Sequence, residues 1–270
     1  MQIEFKLGTQ KFLIAAVLMA TSLAVGIFVS ARANSALKVN IAARTEAARP
    51  AKLSVIAVVD YDCKECSQAD DYWKTLSALN MDSNGYKTIS ADIDEGKNLI
   101  AKYNITKLPS VIVSGETSKN EDVKTFLQKN GVTAGDAIVL KTRAPYQEIK
   151  TGAVRGITQL AEIGDSRCKN CYSPAEHEKI LKGMGIYFGE PQKLDYWSGA
   201  GKNLAVKYKM KQIPTIVLTG DLAAYDGFAN IWKQVGTVEK DGAHIFRNGV
   251  ASMGVYRDLQ TDKIVEPPKQ

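Results

Sequence analysis

The residues best able to do chemistry in this 270-residue chain are its four cysteines, and all four fall in two C-x-x-C pairs, Cys63-Lys64-Glu65-Cys66 and Cys168-Lys169-Asn170-Cys171. None is left over for structural work. Two sulfurs three residues apart can close and reopen a small disulfide. At a strand-to-helix junction such a pair is the signature of a redox-active dithiol. That setting would place the first cysteine at a helix N-terminus, where unpaired N–H groups and the helix dipole favour a thiolate, with the second one turn on. The first thiolate attacks a partner disulfide and the second resolves the mixed disulfide. Two other readings compete. Two C-x-x-C pairs can make a four-cysteine zinc site, but such pairs are usually much closer in sequence than 105 residues. Inert structural disulfides would stabilise little, because so short a loop removes little chain entropy.

The elements that must hold these cysteines are written twice. Pro109 recurs 105 residues on as Pro214, the same spacing as the cysteines. Gly96-Lys97-Asn98-Leu99 matches Gly201-Lys202-Asn203-Leu204, Lys102-Tyr103 matches Lys207-Tyr208, and Gly115 matches Gly220. Tyr146-Gln147-Glu148 resembles Tyr256-Arg257-Asp258 after a small insertion. One unit spans 53–152 and the other 157–262, each of domain length, with 263–270 as a tail.

Within each unit strands alternate with short helices. Leu53–Val59 is a β-branched run, and Cys66–Leu79 places Trp73, Leu76 and Leu79 on one helical face. Tyr86–Ile93 reads as a strand, Asn98–Tyr103 as a helix, and Val111–Val113 as a strand. The second copy gives Leu160–Ile163, Cys171–Leu181, Lys193–Trp197, Leu204–Tyr208 and Ile216–Leu218 in the same order. Ala137–Leu140 and Ala243–Phe246 complete each sheet, with turns marked by Gly131, Gly135, Gly236 and Gly242. Strands alternating with short helices specify an α/β sandwich in each of two tandem domains.

Each repeat resembles a thioredoxin-fold domain, and the tandem resembles archaeal protein disulfide oxidoreductases and the catalytic domains of protein disulfide isomerase. The resemblance covers residues 53 to about 262. It is carried by the strand before each C-x-x-C and by the segments Lys102-Tyr103-Asn104-Ile105-Thr106-Lys107-Leu108-Pro109-Ser110 and Lys207-Tyr208-Lys209-Met210-Lys211-Gln212-Ile213-Pro214-Thr215. It implies that Pro109 and Pro214 are cis and lie against the cysteines. It also implies that Leu108 and Ile213 offer main-chain groups to an extended substrate. The alternative is a trans proline at the start of a strand. The resemblance further implies a buried acid six residues before the first cysteine, shuttling a proton to the resolving thiol. That position is Glu162 in the second copy and Ala57 in the first. An exposed strand end is the other reading of Glu162.

Two departures matter. The aromatic residue common before the first cysteine is replaced by Asp62 and Arg167, and the intervening dipeptides are unusual. From flanking charge, Cys168 beside Arg167 and Lys169 is expected to be the more acidic thiol and the second site the better oxidant. His177, six residues after Cys171, reads as a surface helix residue, and Trp73, Trp197, Trp232, Phe126 and Phe228 as packing residues.

At the N-terminus, Phe12 to Val29 carries no charge. At about 1.5 Å per residue it reaches roughly 27 Å, near the thickness of a bilayer core. Residues 1–33 are therefore read as a signal anchor or, given Ala31-Arg32-Ala33, a cleaved signal peptide. Residues 34–52, rich in Ala and Arg and without aromatic residues, are read as a linker, in part helical. The flanking basic residues taken literally keep the bulk of the chain in the cytoplasm. The short N-terminal tail favours export, giving domains that are extracytoplasmic, or secreted if the signal is cleaved.

Charged residues make up 24% and the hydrophobic set 45%, which excludes a disordered or fibrous chain. The net charge of +6 comes without a Lys/Arg cluster and speaks against nucleic acid as a partner. No phosphate loop, Ser/His/Asp constellation or dinucleotide fingerprint is present. The expected activity is thiol–disulfide exchange on protein disulfides at Cys63/Cys66 and Cys168/Cys171, with no cofactor or metal. Its partners are a protein substrate, a redox partner and the membrane. The alternative is a binding module, a chaperone or metal-thiolate carrier on the same fold.

Overall fold

The structure is a computed structural model and describes residues 4–67 and 69–267. In chain order the elements are α1 (Glu4–Ala48), β1 (Ala51–Val59), α2 (Asp70–Ser77), β2 (Met81–Ser90), α3 (Asp94–Lys102), β3 (Lys107–Leu108), β4 (Ser110–Gly115), α4 (Glu121–Asn130), β5 (Gly131–Ala134), β6 (Ala137–Leu140), β7 (Tyr146–Glu148) and β8 (Val154–Arg155). The second half follows with β9 (Thr158–Gly164), α5 (Glu176–Gly183), β10 (Gln192–Asp195), α6 (Gly199–Lys207), β11 (Gln212–Ile213), β12 (Thr215–Gly220), α7 (Phe228–Val235), β13 (Gly236–Val238), β14 (His244–Phe246), α8 (Val250–Met253), β15 (Tyr256–Asp258) and β16 (Lys263–Val265).

The two halves have the same topology. One sheet runs β2-β1-β4-β6-β5 and the other β10-β9-β12-β14-β13. In each, the first two strands are parallel and the remainder antiparallel. This mixed sheet is thioredoxin-like. Alternation along β1 sends Leu53, Val55 and Ala57 to a core with Tyr72 and Leu76 of α2 and Val123 and Leu127 of α4. Val58 and Ile112 face the opposite core, with Tyr103 and Ile105. The second half repeats this: Leu160 packs with α5 and α7, and Ile163 with the α6 side.

The repeated sequence words have structural causes. A Cβ at Gly96 would lie 2.0 Å from the Ser90 carbonyl oxygen, and one at Gly201 would lie 2.1 Å from that of Asp195, so both helices start too close to a strand end for any side chain. Lys102 and Tyr103 both bond Asp136, and Lys207 and Tyr208 both meet Asp241, which is again 105 residues on. The turns between helix and strand at Asn104 and Lys209 share a left-handed backbone, with φ of 51° and 49°.

The linker stretch 34–52 is helical over most of its length, in keeping with a partly helical linker. It continues α1 to Ala48, because it is rich in strong helix formers and holds no glycine or proline before Pro50. Residues 263–265 are not tail but β16, which pairs with β15 in a small sheet β11-β15-β16; the first half has its counterpart in β3-β7-β8. The apolar run Phe12–Val29 lies in α1, and several of its residues, with Ala31 and Ala33 of the cleavage pattern, have side chains outside the described set. Among the described residues no helix is long and apolar enough to cross a membrane.

Candidate functional site

Each C-x-x-C lies in the loop between the first strand and first helix of its sheet, closed as Cys63–Cys66 and Cys168–Cys171 with 5.4 Å between Cα atoms. The cysteines were expected to open the helix, and they do not. α2 starts at Asp70 and α5 at Glu176, well after the second cysteine of each pair. Other bonds take the intervening backbone. The Ser67 amide donates to the Pro145 carbonyl at 2.7 Å and the Tyr172 amide to that of Val255 at 3.0 Å. In the second copy Pro174 also disfavours helical geometry at Ser173. A helix dipole acts within its first turn, so it is not what activates these sulfurs.

Pro109 and Pro214 are preceded by cis peptide bonds, as is Pro145. Pro109 shares with Cys63 and Cys66 a cleft of about 380 Å³ whose walls include Tyr61, Lys64, Tyr86 and Thr88. In the second half Tyr172, the residue after Cys171, donates its hydroxyl to the Pro214 carbonyl at 2.6 Å. Leu108 and Ile213 are buried and lie opposite Gln147 and Arg257 in the two small sheets. Their side chains belong to the cores of the two halves.

The sulfurs differ in exposure. Cys66 is buried and Cys63 half-buried, whereas Cys168 and Cys171 are both half-buried. Their electrostatic settings differ more. Asp165, Cys168 and Cys171 form the one group of metal-ligating residue types among those described whose candidate atoms all lie within 4.8 Å of one another. The group does not suit a metal, because its sulfurs are bonded to each other and both Asp165 oxygens are taken. Oδ1 accepts from Trp197 Nε1 at 2.7 Å and the Arg167 amide at 3.0 Å, and Oδ2 accepts from Arg257 Nε at 2.7 Å. Burial alone would raise the pKa of Asp165, but these donors together hold it below the ordinary carboxylate value. Nor do the four sulfurs converge on a shared zinc site, since each pair is closed within its own motif.

Glu162 is buried on the sheet face covered by α5, in the position occupied by Ala57 in the first half, and is not on an exposed strand end. Burial, then the neighbouring Glu178, pushes its pKa up to about 7, and its Oε1 has no hydrogen-bond partner. It is not part of the Asp165–sulfur group. His177, expected at the surface, is buried between Tyr172 and Phe246, and desolvation lowers its pKa to about 4. Asp165 and Tyr172 were missed by sequence reasoning. The signal for Asp165 was present: Asp60 and Asp165 stand 105 residues apart, each three residues before a first cysteine.

Two thioredoxin-like halves, each with a C-x-x-C disulfide in the loop after its first strand and a cis-proline segment linked to that loop, define a protein of the dithiol redox kind. No protein-family model matches the chain, and no curated protein matches it. Among solved structures it is similar to the alkylhydroperoxide reductase AhpF of Enterococcus faecalis, at 15% identity over 65% of this chain and 85% of that one, with a TM-score of 0.21. It is also similar to the NTD_N/C domain of that Enterococcus faecalis reductase, at 14% identity over 64% and 84%, TM-score 0.22. ERdj5 is matched at 8% identity over 69% of this chain and 28% of that one, TM-score 0.20.

Proposed function

We propose that the protein is a thiol–disulfide oxidoreductase acting on protein disulfides at two sites, Cys63/Cys66 and Cys168/Cys171, tethered to a membrane by its N-terminal segment with the domains outside the cytoplasm. The observation that carries the enzymatic part is a half-buried first cysteine in each pair: Cys63 shares a cleft with the cis-proline Pro109, and Cys168 lies in the loop whose Tyr172 bonds the cis-proline Pro214. A client enters as an added strand along Leu108-Pro109 or Ile213-Pro214. Its disulfide is attacked by the first thiolate, one client sulfur leaves as a thiol, and the second cysteine releases the other, leaving the site oxidised. A dithiol partner restores the site. The tether is supported by the uncharged run Phe12–Val29 and by exposed apolar side chains of α1 such as Leu18, Met19 and Leu23.

Insulin disulfide reduction with dithiothreitol tests the activity. The intact chain should exceed the uncatalysed rate at least tenfold, and replacing all four cysteines by serine should return it to that rate. A rate equal to the blank for the intact chain rejects the enzymatic reading in favour of a binder. A membrane-impermeant maleimide should label the cysteines of intact, reduced cells; labelling only after lysis rejects the export.

A further inference from the structure

The second site carries a built electrostatic device that the first lacks. Asp165 has a fully buried side chain, and Arg257, whose own side chain is 11% exposed, pairs with it at 2.7 Å. Arg257 lies opposite Ile213, where the first half has Gln147 opposite Leu108. The first-half counterpart of Asp165 is Asp60, which is half-buried, accepts from the Asp62 amide at 2.8 Å and forms no compact group with Cys63 and Cys66. The buried carboxylate therefore faces sulfurs only in the second half.

We propose that Asp165 is an electrostatic brake on the second dithiol: its ionised carboxylate, fixed by Arg257 and Trp197 beside Cys168 and Cys171, disfavours their thiolates and makes the second site the slower nucleophile at neutral pH. This rests on the dithiol reading above. It reverses the order suggested by flanking charge, which counted Arg167 and Lys169 as activators of Cys168; Lys169 is exposed to solvent, which screens its charge. The Arg167 guanidinium is stacked 3.6 Å from the centroid of the Trp197 ring. Lys202 lies on the same ring at 5.6 Å, and Asp195 is occupied by the Ser166 amide and hydroxyl. Arg257 is the cation closest to the carboxylate, and its charge is shared with Asp262 at 3.0 Å. A negative charge within a few ångströms of a thiol in a partly buried loop raises the thiol pKa. Arg257 tempers that effect and is the positioning residue.

The test is the pH dependence of iodoacetamide alkylation of the reduced full-length chain, read at each cysteine by mass spectrometry. Cys168 should show a higher apparent pKa than Cys63. Asp165→Asn keeps the shape and the bonds from Trp197 and the Arg167 amide. It should lower the Cys168 pKa by about one unit, a tenfold gain in thiolate at pH 7, and leave Cys63 unmoved. Arg257→Gln should shift Cys168 the other way, and Arg257→Lys should restore the wild-type profile. If Asp165→Asn does not fold, Arg257→Gln decides alone. An unchanged or raised Cys168 pKa in Asp165→Asn, or an unchanged or lowered one in Arg257→Gln, overturns the proposal. Alkylation needs no client, so failure of insulin reduction and failure of this proposal are separate results.

Discussion

The two halves share a backbone plan but differ in what their cores ionise. Beneath the first C-x-x-C the sheet offers Ala57 and the helix offers Tyr72; 105 residues on, the same places hold Glu162 and His177. The first half places a methyl group and a phenol there, and the second buries an acid, a base and, beside the sulfurs, the Asp165–Arg257 pair. Shared topology is thus no guide to shared chemistry. The repeat preserves residues that the backbone path demands, and leaves free those that only tune the field around the sulfurs.

At their helix starts the two halves should respond alike. Gly96→Ala and Gly201→Ala each force a Cβ into a carbonyl oxygen. Each should cost about 2–3 kcal/mol of stability, in equal measure, by denaturant midpoint. A tolerant response at one position alone would show that the two helix starts are not equivalent.

A smaller effect should appear only in the second half, through pH. Glu162 titrates at about 7 instead of its ordinary value of 4.5, so the folded state holds its proton longer. Its contribution is full below about pH 4.5 and fades as pH rises through 7. His177 titrates at about 4 instead of 6.5, so its contribution is full above 6.5 and fades as pH falls through 4. The two slopes oppose each other between about pH 4.5 and 6.5. Glu162→Gln removes one of them, and the second half should then gain stability steadily from pH 5 to about 6.5 and hold level above it. Hydrogen exchange of α5 and β9 amides reads this; an unchanged profile would mean that Glu162 titrates normally. The exchange protection of the first half should not respond.

The smallest effect concerns the tie between each dithiol loop and its surroundings. Tyr172→Phe removes the partly buried bond to Pro214 and should cost about 1 kcal/mol. Ser67→Ala removes the bond from the Ser67 hydroxyl to the Arg143 carbonyl, at 2.9 Å near the surface, and should fall within about 0.5 kcal/mol of wild type. Equal losses in thermal unfolding would erase this distinction.

Much of the architecture was legible because it is written as spacing. The 105-residue repeat located both sheets, Val111–Val113 and Ile216–Leu218 fell inside β4 and β12, and Ala137–Leu140 matched β6. The matching triplets at Tyr146 and Tyr256 proved to be β7 and β15, although two short strands paired only across a small sheet give no periodic signal by themselves. The helix starts were misplaced because bonds to Pro145 and Val255, some 80 residues distant, take the backbone after the second cysteine.

The amino-acid order alone determined the duplicated α/β plan and the four sulfurs with their prolines, because apolar alternation and fixed spacing are local properties of a chain. Only the folded arrangement decided which charges face those sulfurs. Arg167 adjoins Cys168 in sequence but is stacked on an indole, while Arg257, some 90 residues away, reaches Asp165. Electrostatic influence follows distance through space and burial, and neither can be read from neighbours along the chain.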